Sequence, residues 1–387
     1  MEGRRTFSPG IDKAAAFIAK EFEATGLKSI KGDNNFLQSF LINRPKFISL
    51  SASMDGATID TKQVIVVTIE PEIKITEASG YAVSKIAAGE NLNQAASKMI
   101  GANQKMIVLV DESHAQNFGR LVRFKNNLAS NQATVVFVLT NTTPVKYAIQ
   151  ASHQIETMAL ANVVAMIPGK TLPNEYVIFS GHYDHLGINA KNMVNGDSIY
   201  NGANDDAAGT TAMIMLSKYY KALNNNARTI IFAAFTAEEA GGYGAQYFSK
   251  QLDPNKVVAM FNIEMIGTES KWGKNSAYIT GFDKTNMGAI LQKNLDGSSF
   301  KFYPDPYTEQ NLFYRSDNAT LARLGVAAHT ISTSKMDSEP NYHKASDQIE
   351  TLDLDNMNEI IKAIAISAGS IVAGKDTPTR VDTSQLK

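Results

Sequence analysis

Residues 229–235 read Thr-Ile-Ile-Phe-Ala-Ala-Phe, an apolar run of strand length with no polar side to turn toward water. Such a strand is stable only when both faces are covered, as in the middle of a sheet flanked by helices. The rest of the chain supplies the neighbours. Apolar strands are expected at 163–167, 176–180, 257–263, 277–280 and 327–331, and helices at 207–223, 240–252, 287–294 and 318–324. A long closing helix over 356–372 carries Ile360, Ile361, Ile364, Ile366 and Ile371. An amphipathic helix at 11–25 presents Ile11, Ala15, Ile18 and Phe22 and stops at Gly26. Pro168-Gly169 and Pro173-Asn174 predict a hairpin-like connection between the strands at 163–167 and 176–180. The pattern gives an α/β fold, a three-layer α/β/α sandwich around a mixed, mostly parallel central sheet.

One interval interrupts this order. Between 51 and 155, β-branched runs at 64–69, 106–110 and 135–139 surround a helical stretch at 116–128. That is a strand–helix–strand unit of its own. The expected organisation is one domain from 1–50 and 156–387, with an inserted smaller α/β or β-rich segment over 51–155. No internal repeat or low-complexity tract is visible.

Composition narrows the chemistry. The chain has no cysteine, which excludes disulfides, thiolate metal sites and a cysteine nucleophile. Lys+Arg 37 against Asp+Glu 38 argues against a whole-surface nucleic-acid role. No apolar run approaches the ~18 residues of a membrane span. The start, Met1-Glu2-Gly3-Arg4-Arg5, is not followed by the apolar segment of a signal peptide. It suits an exported protein, periplasmic or secreted, that has lost its leader, and equally a native cytoplasmic start. Oligomeric state has no signature in the sequence.

Ligands of open α/β sheets bind beyond the carboxyl ends of the strands. There the chain places Gly181-His182-Tyr183-Asp184-His185, then Asn204-Asp205-Asp206-Ala207-Ala208-Gly209 at a helix start. Ala237-Glu238-Glu239, Asn262-Ile263-Glu264-Met265-Ile266-Gly267 and Asn341-Tyr342-His343 follow in turn. Each alone has a plain explanation: Asp205 as a helix cap, Glu238 and Glu239 as acids favoured in a first helical turn, His182 as a satisfied buried histidine. Together they crowd histidines and carboxylates at one end of one sheet, with only Arg315 and Lys335 near them in sequence. Buried acids without bases must neutralise or hold a cation. A sulfur-free set of imidazole and carboxylate suits zinc, cobalt or manganese. Asp184, two residues along from His182, is placed to reach its second ring nitrogen and fix its tautomer. Of the adjacent pair Glu238-Glu239, one can ligate while the other accepts a proton from water.

These motifs, in this order over roughly 160–375, resemble the co-catalytic di-zinc aminopeptidases, the superfamily that also holds glutamate carboxypeptidase. The resemblance implies a metallo-exopeptidase acting on peptides with a free N-terminus, with two Zn2+ per chain for which Co2+ or Mn2+ can substitute. By the same resemblance Asp205 bridges the ions, His182 and Glu264 complete one site, and Glu239 and His343 complete the other. Glu238 is the general base, Asp184 orients His182, and Tyr342 donates to the oxyanion. The bond Asp205–Asp206 is expected to be cis. Glu264 stands where Asp is more usual, and Ser316-Asp317-Asn318 replaces a Ser-Asp-His, leaving Asp317 a supporting part. The segment 51–155 falls where many relatives carry a protease-associated lid.

Rival readings share the scaffold. A glutaminyl cyclase with a single zinc needs an aromatic pocket, for which Trp272 is the one tryptophan. A non-enzymatic receptor is expected to lose ligands, which this chain keeps. A carboxypeptidase or dipeptidase needs arginine to clamp a carboxylate, and Arg315 is the candidate. Met265, Phe313, Tyr314 and Tyr303 are the candidate walls of a substrate pocket that favours an apolar side chain.

Overall fold

The computed structural model describes residues 1–32 and 35–386, and the chain divides into two compact units, Met1–Ser39 with Ala161–Lys387, and Phe40–Leu160. Both crossings fall inside strands, Leu37–Met54 and Tyr147–Ile167. A search for turn residues therefore sets them elsewhere, at 50/51 and 155/156.

The sheet of the larger unit has four parallel strands at its centre, in the order Ala327–Ser332, Val257–Ile263, Leu172–His182 and Arg228–Phe235. Ser276–Ile279 joins antiparallel on one side and is followed by Lys301–Pro304; residues 163–167 join antiparallel on the other. The mixed sheet has the expected form, with one correction. Residues 163–167 and 176–180 are not a hairpin, because Arg228–Phe235 lies between them and pairs with both. Burial of both faces is the physical reason: a fully apolar strand gains most in the middle of the sheet, and the turn residues at 168–174 tolerate the longer path.

Side chains alternate between two cores as the strand repeat requires. Val177, Phe179, Ile230, Phe232, Ala259 and Phe261 point to one face, against Ile11, Ile18 and Phe22 of the helix Pro9–Thr25, Met213 and Leu216 of Gly209–Leu223, and Ile360 and Ile364 of Leu354–Ser367. Ile178, Ile231, Phe235 and Met260 point to the other, against Phe248 of Tyr243–Ser249 and Leu321 of Asn318–Ala322. Helices thus cover both faces, and no helix of the described residues is long and apolar enough to cross a membrane. The expected closing helix is two pieces, Leu354–Ser367 and Gly369–Val372.

The smaller unit repeats the logic on a smaller scale. Its sheet runs Val64–Val67, Val135–Leu139, Met106–Val110, Ala82–Ile86, with only the first strand antiparallel. Each face has its own core, one around Val108, Phe118 and Phe137, the other around Ile107, Val136 and Ile149. The helix expected at 116–128 is a short turn, Ala115–Phe118, continuing as a 3-10 segment Gly119–Lys125.

Phe179 lies three residues before the end of its strand, stacked against Phe261, Tyr220 and Phe232 at centroid separations of 4.9, 5.3 and 5.9 Å. Phe179→Ala is expected to cost about 3–5 kcal/mol, read as a drop in the midpoint of chemical denaturation.

Candidate metal centre

His182, Glu238, Glu239 and Glu264 sit at or just past the carboxyl ends of parallel strands. His182 closes the strand Leu172–His182; Glu238 and Glu239 follow Arg228–Phe235; Glu264 follows Val257–Ile263. Asp205 arrives on a wide turn, Ala203–Ala208, leading into the helix Gly209–Leu223. The helix start lies hard against the strands. A Cβ on Gly209 would stand 2.0 Å from the Ile263 carbonyl, so glycine alone fits there. The Asp205–Asp206 peptide is cis, as expected.

The two aspartates divide their tasks. Asp206 is the structural one: its carboxylate accepts from Gly209 N at 3.0 Å, Met265 N at 3.0 Å and His182 N at 3.2 Å. The plain capping reading belongs to Asp206 and not to Asp205. Asp205 is left free to face the histidines, while Asp347 fixes its backbone by accepting from Asn204 N and Asp205 N at 2.8 and 3.0 Å.

Asp205 stands between two groups of donors. Oδ1 lies 3.2 Å from His182 Nε2, and Oδ2 lies 3.2 Å from His343 Nε2, which is also 3.2 Å from Glu239 Oε2. His182, Asp205 and Glu264 offer one ligand atom each within 4.8 Å of one another, as do His185, Asp205 and Glu239, and His343 Nε2 stands beside the second group through its contacts with Asp205 and Glu239. A tetrahedral ion with bonds of about 2.0–2.1 Å holds its ligands about 3.3 Å apart, which the 3.2 Å separations match. His182 Nε2 is also buried with no hydrogen-bond partner among the described residues. A nitrogen so close to a carboxylate yet not bonded to it is aimed at a shared third atom. The donors fit a cation at each side of Asp205.

Charge tells the same story. Burial opposes ionising His182, but the carboxylates of Asp205, Glu238 and Asp206 outweigh it and raise its pKa well above the ordinary value. Burial likewise opposes His343, yet Asp205 and Glu239 lift it to about 10. Burial raises Glu239 less than the hydrogen bonds from His185 and His343 lower it, to about 2.

Asp184 is placed differently from the simple relay. His182 Nδ1 lies 3.3 Å from the Asp184 main-chain carbonyl and 3.8 Å from its carboxylate. The carboxylate accepts instead from Glu238 N at 3.0 Å and Glu239 N at 3.3 Å. The Glu238 carboxyl is pushed well above its usual range by burial, with Glu264 and Asp317 adding and His182 opposing. Ser316 Oγ donates to Glu264 Oε2. Asp317 is buried with both oxygens unpartnered among the described residues, and burial raises it to about 8. Tyr342 stacks on His343 at 3.9 Å between ring centroids.

These residues open on a cavity of about 230 Å3 lined by Asp205, Glu238, Glu239, Glu264, Tyr342 and His343, with Met265, Tyr278, Leu312 and Met336 as its apolar walls and Arg315 also lining it. Of the expected walls, only Met265 lies there. Phe313 is buried in a core, Tyr314 packs against that core, and Tyr303 stacks on Trp272 at 4.0 Å, outside the cavity lining. Aromatic size suggested a wall, but the alternation of buried faces decided otherwise.

Sequence reasoning passed over two contributors. His185, inside a motif already singled out, binds Glu239 Oε1 through Nδ1 at 2.8 Å. Arg4 is buried, and its charge is felt by Asp184, Asp205, Asp206 and Asp347. Nothing in the spacing of the motifs signals Arg4.

The raised His343 has a sign that can be checked. In metal-free protein its stabilising charge is complete below the unfolded value near 6.5 and is lost as pH rises through about 10. The thermal midpoint of chelator-treated protein is expected to fall across that window, and to fall less in His343→Gln.

Comparison with known proteins gives the family and the fold. The model of peptidase family M28 matches residues 162–367. A probable leucine aminopeptidase of Trichophyton verrucosum is 29% identical over 211 residues, 52% of this chain and 54% of the relative. The chain thus spans about half the length of that curated relative. Two solved structures show the same fold over nearly the whole chain. An aminopeptidase from an Aneurinibacillus strain is 15% identical with a TM-score of 0.54, covering 99% of this chain and 93% of its own. A zinc aminopeptidase from Bacillus subtilis is 15% identical with a TM-score of 0.55, covering 99% and 92%.

Proposed function

Because the chain belongs to peptidase family M28, we propose that it is a zinc-dependent aminopeptidase that removes apolar N-terminal residues from peptides. The observation that carries the reading is the set of carboxylate and imidazole donors gathered around Asp205 where they line one small cavity. The volume, about 230 Å3, is below the ~300–1,000 Å3 of common ligand pockets and suits a chain end. Met265, Tyr278, Leu312 and Met336 favour an apolar side chain. The cyclase reading loses its support, since Trp272 stacks on Tyr303 outside the cavity lining.

Two zinc ions per chain is the occupancy that the donor spacing supports. His182, Asp205 and Glu264 would hold one, and Asp205, Glu239 and His343 the other, with His185 steadying Glu239 through its second oxygen. When bound, zinc supplies Lewis acidity to the scissile carbonyl and makes water easier to deprotonate. Glu238, held by its backbone N–H on Asp184 and raised in pKa by burial, takes a proton from the attacking water and passes it to the leaving amine. Tyr342, whose phenol burial keeps protonated, donates to the carbonyl oxygen as it gains charge.

A panel of aminoacyl anilides, a glutaminyl peptide and carboxyl-terminal dipeptides tests the reading on zinc-loaded protein. Leucine-type anilides are expected to be cleaved fastest. Cyclisation of the glutaminyl peptide, or cleavage of the dipeptides alone, sinks it.

Roles within the pair are separable. Glu238→Gln is expected to keep both ions by elemental analysis while kcat falls by ~10²–10⁴, with KM little changed. In Glu239→Gln, zinc affinity falls first and excess zinc restores part of the rate. Equal loss of zinc in both reverses the assignment.

A further inference from the structure

We propose that the segment Glu2–Thr6 is a positioning element of the metal centre, in which the Thr6 hydroxyl fixes the carboxylate that holds the Glu238–Glu239 turn. The inference rests on the functional reading above. It starts from one hydrogen bond across 178 positions of sequence: Thr6 Oγ1 donates to Asp184 Oδ2 at 2.9 Å, with both residues buried. Asp184 Oδ1 takes Glu238 N and Oδ2 takes Glu239 N. A carboxylate torsion is soft and nearly two-fold, and of the two backbone donors the one on Oδ2 is the longer at 3.3 Å, so that oxygen is held loosely by the turn alone. Thr6 approaches from another element and removes that freedom. The proposed base and its neighbouring ligand therefore inherit their position from a hydroxyl near the start of the chain.

The segment is built to stay where it is. Arg4 Nε donates to the Tyr183 carbonyl at 2.8 Å, Nη2 to Gly202 O at 3.1 Å and Nη1 to Asn201 O, and Arg4 O accepts from His185 N at 3.2 Å. One guanidinium thus staples the loop of Asp184 and His185 to the loop that leads to Asp205. Glu2, Gly3, Arg4 and Phe7 all have φ between 49° and 72°, a region that non-glycine residues occupy only when their surroundings compel it. At Gly3 a Cβ would stand 2.5 Å from Gly187 O and 2.7 Å from Tyr200 O. Such close fitting is out of place in an idle tail. Arg4 serves the fold of the loops; Thr6 reaches the Glu238–Glu239 turn through Asp184.

Three substitutions separate the hydroxyl from mere packing. Thr6→Val removes it at similar volume, Thr6→Ala removes it without the branch, and Thr6→Ser keeps it. The readouts are zinc affinity by chelator competition, kcat and KM on an aminoacyl anilide, and the thermal midpoint of metal-free protein. Thr6→Val and Thr6→Ala are expected to lose about 10-fold in zinc affinity or kcat, the low end of the cost of an outer partner of a metal ligand, because Asp184 stands between Thr6 and the Glu238–Glu239 turn. KM should change little, and Thr6→Ser should keep most of both. If Thr6→Val does not fold, Ser against Ala makes the same comparison. Wild-type zinc affinity and kcat in the hydroxyl-free variants, or an equal loss in Thr6→Ser, overturns the proposal. If wild-type protein cleaves no aminoacyl substrate, the functional reading fails, and zinc affinity still decides the part played by Thr6.

Discussion

Asp205 must keep a negative charge in a place almost closed to water, surrounded by other acids. Removing a lone carboxylate from water is prohibitively costly unless positive charge or hydrogen bonds replace the solvent. Much of the surrounding architecture answers that demand. Two imidazoles approach its oxygens from opposite sides, Asp347 anchors its backbone, and the buried guanidinium of Arg4 lies within electrostatic reach. Asp206 takes over the helix start, which leaves its neighbour free. The parallel strands then supply what a small protein could not: several rigid chain ends at one level, each delivering a donor without a loop long enough to wander.

The same geometry explains why so much was readable. A strand that is apolar throughout must be central, so its end is known to within a residue, and the polar side chain found there is at the mouth of the sheet. His182, Glu238, Glu239 and Glu264 were legible for that reason, and the structure brings them together with Asp205 and His343. The cavity walls were not legible. Phe313 and Tyr303 have the right size, but whether a side chain on a short element faces cavity or core depends on packing that no local pattern encodes. The hairpin expectation failed on long-range information too: two strands joined by turn residues were parted by Arg228–Phe235, which comes some fifty residues later.

Arg4 and Thr6 mark the far limit of such reading. Both look like residues of a ragged polar start, and only the folded chain shows them under the loops of the centre. Left-handed backbone recurs beside the proposed chemistry, at Ala237 before Glu238, at Met265 after Glu264 and at His343 itself. Residues with side chains rarely settle there. Local preference has been overridden in the places where donor direction matters most, which is where inference from propensity is weakest.

The long reach of the first residues also sets an order of events. Arg4 and Thr6 are synthesised nearly 180 positions ahead of the carbonyls and carboxylate they bind. On a growing chain they wait, unable to close a loop whose other end does not yet exist, and closure carries the entropy of a long loop when it comes. Contacts of that span form late, after the local strand–helix units have condensed. The centre is therefore fastened by a segment made well before the loops it holds, and those loops cannot take their final form until the chain has passed Gly202.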